Sequence, residues 1–580
     1  MMKQFLKSVF AVVCGTLVTI VLLFVLGFAF FGALLSASSA TPALPKQGVL
    51  CLDLSKTVIA EQTMETDPMS LLQGTDASTV GVLDAVRAIE MAETDPAVQY
   101  IYLKVDNNIS ELSALEELRR SLALFRSRSG KSVIAYTESP TTGGYYLASV
   151  GDKVFMTPHI GATTMLSGVS SQMVFLGDLL SRLGVNVQLI RHGKYKSAGE
   201  MYTRSSSSAE NREQYQRMVD SMWETLSASI SESRQMSVAS LNDAIDGLKL
   251  VSPRDFVDCG LVDALLTRGE LESKLAVYAG KDDIKDVRYI SFSDYVAAKR
   301  IVSSSREKIA VIYANGEIMD GRADNAVAGD RFASIISRVR ADSTVKAVVL
   351  RVNSPGGSVL ASEKIKCELD SLKAVKPLVA SYGSYAASGG YWISTACDKI
   401  YSDATTLTGS IGVFGLVPDF SALAHDKLHV NVESVNSNAH GDMYGMMRPF
   451  DRSEYAYMQS SIESVYERFT TIVSEARSLP VETVDAVGQG RVWTGADALK
   501  IHLVDEIGTL GDALSYAASL AGDADLSNWH VQELPAPKSS LDQLLSRLQG
   551  SGDESALVKA AKDLGEPEIL ARMDMLLSVR

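Results

Sequence analysis

Cysteine is scarce and basic charge is in deficit in this 580-residue chain. The five cysteines lie far apart, and none belongs to a CxxC pair: Cys14, Cys51, Cys259, Cys367 and Cys397. This spacing argues against a zinc site or a redox pair. Lysine and arginine number 55 against 69 acidic residues, which gives a net charge of −14. Because nucleic-acid binding needs a concentrated basic face, we expect no nucleic-acid partner, and no motif requires a metal or a cofactor.

One long uncharged run lies near the N-terminus. Residues 8–35 contain no charged side chain and follow Lys3 and Lys7. At about 1.5 Å per residue, a helix of this length exceeds a hydrocarbon core of about 30 Å. We therefore predict a transmembrane signal anchor, with the bulk of the chain on the extracytoplasmic side. The small residues at 36–40 also resemble a cleavage site, so removal of a signal peptide is the alternative.

An internal repeat organises the rest of the chain, whose 46% hydrophobic and 21% charged residues are typical of a globular protein. Four blocks recur in the same order, at an offset of roughly 240–250 residues. The matched blocks are residues 95–105 and 342–352, 142–146 and 388–392, 162–164 and 404–406, and 261–263 and 503–505. The repeat predicts two copies of one domain.

Each copy alternates short apolar runs with helical patterns. Residues 309–313, 347–352 and 377–380 are nearly continuous apolar runs, which is typical of strands that helices cover on both faces. Longer helices are predicted at 212–234 and 452–477. We therefore predict an α/β fold in tandem duplication. The expected divisions are 1–45 for a cytoplasmic stub and the anchor, 46–300 for the first repeat, 301–534 for the second repeat and 535–580 for a C-terminal tail.

Residues that differ between the copies are the candidates for chemistry. The second copy has Asn-Ser-Pro-Gly-Gly-Ser at 353–358 after a predicted strand, whereas the first copy has no glycine at 106–110. Such a turn presents main-chain N–H groups that can bind an oxyanion, although it is also compatible with an ordinary tight turn. The second copy also has Ser388, followed by two glycines and a helical segment, where the first copy has Thr142.

A serine nucleophile needs a base, and a lysine is the best candidate. None of the seven histidines lies near Ser388 in the sequence, although a Ser/His/Asp triad through tertiary contact stays open. Lys196 follows the predicted strand 187–190, and Asn438 aligns with it in the second copy. Burial lowers the pKa of an amine, so that it can accept a proton. A solvated surface lysine is the alternative, since Lys194 lies beside it.

The two copies have therefore lost complementary parts. The first has Lys196 without the serine and the glycine turn, and the second has Ser388 and the turn without the lysine. A composite Ser/Lys site, with one half from each copy, explains this pattern. Chance divergence of a structural duplication is the competing explanation.

These motifs resemble those of the long form of signal peptide peptidase A, or protease IV, a bacterial family of membrane-anchored serine proteases with a ClpP/crotonase-like fold. The matching segments are residues 195–198, 353–357, 387–392 and 408–412. The resemblance implies Ser388 as nucleophile, Lys196 as general base and Ser410 beside the lysine amine. It also implies that the N–H groups of Gly357 and Gly389 form the oxyanion hole.

The same resemblance implies remnant signal peptides as substrates and a homotetramer as the assembled state. It implies a location in the bacterial inner membrane, with most of the chain in the periplasm.

Two other functions are compatible with the sequence. One is a crotonase-like acyl-CoA hydratase or isomerase, and the other is a membrane-anchored scaffold without enzymatic activity.

Overall fold

The computed structural model describes residues 2–38, 42–64, 77–162, 165–300, 303–537, 569–573 and 577–578. Two residues of a repeated block, Thr163 and Thr164, lie outside the described residues, as does most of the predicted tail, 538–568. The architecture is mixed α/β, as the sequence predicts.

The first repeat contains a parallel six-stranded sheet. The strands of this half of the chain are β1 (Gly48–Asp53), β2 (Thr57–Ala60), β3 (Ser78–Gly81), β4 (Val98–Lys104), β5 (Val133–Thr137), β6 (Lys153–Met156), β7 (Ser170–Ser171), β8 (Asn186–His192), β9 (Ala264–Leu265) and β10 (Tyr289–Ser291). The sheet has the order β10-β1-β4-β5-β6-β9.

The second repeat contains an eight-stranded sheet of related topology. The remaining strands are β11 (Lys308–Asn315), β12 (Ile318–Met319), β13 (Val327–Ala328), β14 (Val345–Ser354), β15 (Gly356–Ser358), β16 (Leu378–Ala387), β17 (Lys399–Ser402), β18 (Leu407–Gly409), β19 (Val413–Asp419), β20 (Val492–Thr494), β21 (Glu506–Ile507), β22 (His530–Leu534), β23 (Ile569–Arg572) and β24 (Leu577–Ser578). Its parallel part runs β22-β11-β14-β16-β17-β21, the same order as in the first repeat. The predicted duplication is thus visible in the topology.

Helices alternate with these strands along both repeats. Their bounds are Met2–Ser38, Val82–Thr94, Leu112–Ser129, Thr142–Ala148, Gly177–Leu183, Glu200–Thr203, Ala209–Arg234, Val238–Asp246, Pro253–Asp258, Arg268–Tyr278, Phe292–Lys299, Gly329–Ala341, Val359–Lys373, Gly389–Ser394, Arg452–Arg477, Val481–Val487, Gly495–Lys500 and Leu510–Leu520. The two long predicted helices begin where a side chain caps the first turn, Ser208 in one case and Asp451 in the other.

The repeated sequence blocks make equivalent contacts. Tyr145, in the first copy of the Gly-Gly-Tyr motif, donates its hydroxyl to the carbonyl of Leu261. Tyr391, its counterpart, donates to the carbonyl of Leu503 over 2.7 Å. Each bond ties the helix after a sheet strand to the Leu-Val-Asp block, so these blocks recur because both copies need the same buried bond.

The predicted membrane anchor is not supported. The N-terminal helix Met2–Ser38 forms and covers the uncharged run. Within the described residues, however, no helix combines the length and the mean hydropathy that a membrane span requires.

A buried charge cluster joins the two repeats. Arg351 on β14 has its Nε 2.6 Å from Glu61 and its Nη2 2.9 Å from Glu117, and both carboxylates belong to the first repeat. Burial lowers the pKa of the Arg351 guanidinium, but the two carboxylates outweigh it and leave that pKa above its usual value. The apolar core is also continuous across the join, because Val311 and Val349 belong to the same cluster as Leu103.

A third sheet contains strands from both repeats and from the C-terminal segment. Its order is β13-β12-β15-β23-β19-β8. The first repeat supplies β8, which pairs antiparallel with β19 along its whole length. This sheet brings the loop that follows β8 to the ends of β16 and β18, where the candidate site lies.

Candidate active site

Ser388 lies between the end of β16 and the short helix Gly389–Ser394. Its φ of 55° and ψ of −114° are values that residues with side chains rarely adopt. Two main-chain hydrogen bonds hold this conformation, from Ser388 N to the Gly409 carbonyl and from Trp392 N to the Ser388 carbonyl, each 2.8 Å long. The strained turn directs the Ser388 side chain toward the third sheet, where it is fully buried.

Lys196 reaches this serine from the other repeat. Its Nζ lies 2.9 Å from Ser388 Oγ and 3.0 Å from Ser410 Oγ, and it donates to the Ser410 carbonyl over 3.3 Å. The lysine is only 1% exposed, so the alternative of a solvated surface lysine is wrong, whereas Lys194 is exposed. Among the described residues, only Lys196 hydrogen-bonds to the Ser388 hydroxyl, so the structure contains no Ser/His/Asp arrangement there.

The lysine loop is fixed by contacts with the second repeat. Tyr195 N donates to the carbonyl of Gln489 over 2.9 Å. Gly490 lies against the lysine backbone, and a Cβ at this glycine would stand 2.5 Å from Lys196 Cβ. Arg191 donates to the Lys196 carbonyl over 2.7 Å, so this arginine supports the loop from within the first repeat.

The glycines of the predicted oxyanion turn are required by close backbone approach. Gly357 has a φ of 151°, and a Cβ there would stand 1.9 Å from the carbonyl oxygen of Ile318. A Cβ at Gly356 would stand 2.7 Å from Gly389 N, the other predicted donor. The turn is therefore more than an ordinary tight turn, because its main chain packs directly on the residue that follows Ser388.

The C-terminal strand β23 covers the site, and no pattern in the sequence predicts this strand. It lies antiparallel between β15 and β19, and Gly357 pairs with Ala571. Met573 N donates to the Pro355 carbonyl over 2.9 Å. Since bonded pairs alternate in an antiparallel ladder, the next bonded pair places Gly357 N–H opposite the Ala571 carbonyl. A Cβ at Gly389 would stand 3.2 Å from the same carbonyl oxygen.

A cluster elsewhere has the residue types of a metal site but already satisfies its own charges. His440, Asp451 and Glu454 present donor atoms within 4.8 Å of one another. Arg448 binds Glu454 and lowers the pKa of that carboxyl to about 2. Asp451 caps the helix that follows it. The cluster is therefore explained as an ion pair with a helix cap.

The site contains a buried serine from the second repeat and a buried lysine from the first, which are hydrogen-bonded to each other beside a glycine turn. This combination is that of a candidate serine hydrolase. The chain belongs to Peptidase family S49, whose family model matches residues 126–281 and 370–523. The two matched segments fall one in each repeat.

Relatives agree with this assignment over most of the chain. Protease 4 of Haemophilus influenzae is 33% identical over 603 aligned positions, covering 100% of this chain and 97% of the relative. Protease 4 of Salmonella typhi is 35% identical, covering 87% of this chain and 83% of the relative. The chloroplastic serine protease SPPA of Arabidopsis thaliana is 29% identical, covering 83% and 72%. The chain is therefore a serine peptidase. The resemblance is confirmed, and the hydratase and scaffold alternatives are wrong.

Proposed function

We propose that this protein is an endopeptidase that acts through a Ser/Lys dyad on a ClpP/crotonase-like scaffold. Ser388 is the nucleophile and Lys196 is the general base, and Ser410 orients the lysine amine. Gly357 and Gly389 supply the N–H groups of the oxyanion hole. The observation that carries the proposal is the contact of 2.9 Å between Lys196 Nζ and Ser388 Oγ, because it joins two residues 192 positions apart.

The proposed reaction is acyl transfer to water. Neutral Lys196 accepts the Ser388 proton while Oγ attacks the peptide carbonyl, and the oxyanion is held by the two glycine N–H groups. The lysine then protonates the leaving amine. Water then attacks the acyl carbon and gives a proton to the lysine, which passes it to Ser388 Oγ as the ester bond breaks and the acyl group leaves as an acid. A buried amine loses the hydration that stabilises its ammonium form, which favours the neutral base. One oxyanion donor is typically worth about 2.7–4 kcal/mol of barrier.

The geometry supports extended, unfolded peptides as substrates. The site opens between β15 and β19, and an extended chain can pair with both through main-chain hydrogen bonds. The resemblance further supports remnant signal peptides as the physiological substrates and a homotetramer as the assembled state. Light scattering of the purified full chain, compared with the protomer mass of 62.4 kDa, tests the tetramer.

The dyad is tested by replacing each member in the full chain. Ser388→Ala and Lys196→Met should each lower kcat/KM for a quenched fluorescent peptide by roughly 10³-fold or more, because either change removes the nucleophile or its base. A fluorophosphonate probe should label the wild type and not the Ser388→Ala variant.

The exposed neighbour Lys194 provides the matched control, since Lys194→Met makes the same substitution two residues away. That variant should retain activity and labelling. If Lys196→Met cleaves peptides as fast as the control variant does, the proposed base is wrong.

A further inference from the structure

The strand β23 lies in the site as a peptide substrate would. Its backbone pairs with β15 on one side and with β19 on the other. Ala571 is fully buried, and its carbonyl faces the N–H of Gly357, as the ladder alternation requires. This register places the peptide bond between Ala571 and Arg572 at the proposed nucleophile. Ala571 then stands on the acyl side, and Arg572 is the first residue of the leaving group.

Two apolar side chains flank this peptide bond, Leu570 one residue before Ala571 and Met573 one residue after Arg572, and each packs into a different cluster. Leu570 packs against an apolar cluster that includes Phe414 and Leu416. Met573 packs into a second apolar cluster with Met222 and Leu407. Two apolar contacts therefore hold the strand, one before and one after the peptide bond that faces Ser388.

Arg572, the first residue after that peptide bond, forms an ion pair with Glu317. It is 4% exposed, and its Nη1 lies 3.0 Å from Glu317 Oε1. Glu317 directly precedes β12, whose Ile318 pairs with Gly357 of the oxyanion strand. The backbone that carries this carboxylate is therefore paired directly with the proposed oxyanion turn at its next residue.

The energetics favour a selective role for this carboxylate. A buried guanidinium is costly unless a carboxylate compensates it. Conversely, an acidic side chain at the same place would bring two carboxylates together. Glu317 can therefore discriminate in both directions, for a basic residue and against an acidic one.

We propose that Glu317 is a specificity-determining residue that selects a basic side chain immediately after the scissile bond, and that the segment 570–573 is the chain's own ligand in this groove. The proposal rests on the proposed peptidase function. It adds a preference on the leaving-group side, where Arg572 is the bound example.

The test uses full-length protein and three quenched fluorescent peptides with the core Ile-Leu-Ala-Xaa-Met, in which Xaa is Arg, Gln or Glu. The wild type should cleave the Arg peptide with a kcat/KM at least about tenfold above that of the Glu peptide. Mass spectrometry should locate the cut directly before Xaa. Glu317→Gln should bring the Arg and Gln peptides close to equality, and Glu317→Lys should favour the Glu peptide.

Asp324→Asn is the control, because it removes one negative charge from a side chain that is 82% exposed in the next loop, between β12 and β13. It should preserve the wild-type preference.

A wild type that cleaves all three peptides equally would overturn the inference, and this result requires no variant to fold. An unchanged Arg-to-Glu ratio in both Glu317 variants would also overturn it, and would leave β23 as a structural strand. Failure of the peptidase proposal itself is distinct, since no peptide would then be cut and Ser388 would not be labelled.

Discussion

The backbone conformations of Ser388 and Lys196 are each fixed by several contacts with neighbouring residues. The serine backbone is held at positive φ by two main-chain bonds, and the lysine loop is pressed against Gly490. Strain of this kind costs about 1–3 kcal/mol and persists only where the surrounding structure enforces it. The precision of the dyad therefore depends on residues that contact no substrate.

Gly490→Ala should damage activity far more than stability. The glycine has a φ of +78°, and the new methyl group would stand 2.5 Å from Lys196 Cβ, so the lysine must move away from Ser388. We expect kcat/KM to fall by roughly 10²-fold, as for other small misplacements of a catalytic group. Peptide kinetics and thermal unfolding measure the two effects.

Gly280→Ala is the matched control for this variant. Gly280 has a φ of +66° with no atom within 4 Å of its Cβ position, so it adds backbone strain alone. Equal activity losses in the two variants would show that displacement of Lys196 is not the cause.

The pair could be predicted from the sequence because the two copies differ in a complementary way. Ser388 and Lys196 meet as this difference indicates, and Ser410 lies beside the lysine amine as the family resemblance implies. The role of Gly490 could not be predicted, since it arises from contact with a loop almost 300 residues away. Glu317 was missed for the same reason: no local pattern marks a carboxylate whose partner comes from the far end of the chain.

Strands β8 and β23 are the elements that complete the site. The sequence predicts a strand at 187–190, but nothing in it reveals that the partner of β8 is β19 of the other repeat. The strand β23 is only four residues long and lies in a polar tail. Its conformation depends on the two edges that it joins, so the sequence alone predicts no more than a C-terminal tail there.

If β23 occupies the substrate groove, weakening its attachment should make added peptides bind better. Met573→Asp places a charge in an apolar cluster where the methionine is 6% exposed. Burial of such a side chain is worth about 1.5–3 kcal/mol, so KM for an added peptide should fall by roughly tenfold or more, with kcat little changed. Steady-state kinetics on the full chain measure both constants.

Val435→Asp serves as the comparison, because that valine is 99% exposed and the same substitution there should leave KM as it is. A rise in KM for Met573→Asp would mean that β23 helps to build the groove and does not compete for it.

At the scale of the whole molecule, the two repeats form one folding unit. They share an apolar cluster, and Arg351 bridges them through Glu61 and Glu117. The sequence repeat predicted the common topology of the two parallel sheets. It could not predict how the two repeats pack against each other, because a repeated sequence gives information on the contacts within each copy and none on the contacts between copies.

Arg351→Met should destabilise the protein strongly. The change removes the guanidinium that bridges two buried carboxylates, and breaking a buried ion pair in this way typically costs about 3–5 kcal/mol. Urea unfolding followed by circular dichroism should show the loss.

Arg268→Met is the control, since that arginine is 90% exposed in its pair with Glu272 and an exposed pair is worth at most about 1 kcal/mol. Comparable losses in the two variants would contradict the bridging role of Arg351.

The distribution of the dyad over both halves of the chain has a consequence during translation. The ribosome completes the half with Lys196 while the nucleophile is still unmade, so a nascent chain holds no hydrolytic centre. The proposed dyad is complete only when the second half has emerged and docked onto the first. The order of synthesis therefore keeps the proposed dyad from forming in unfinished chains.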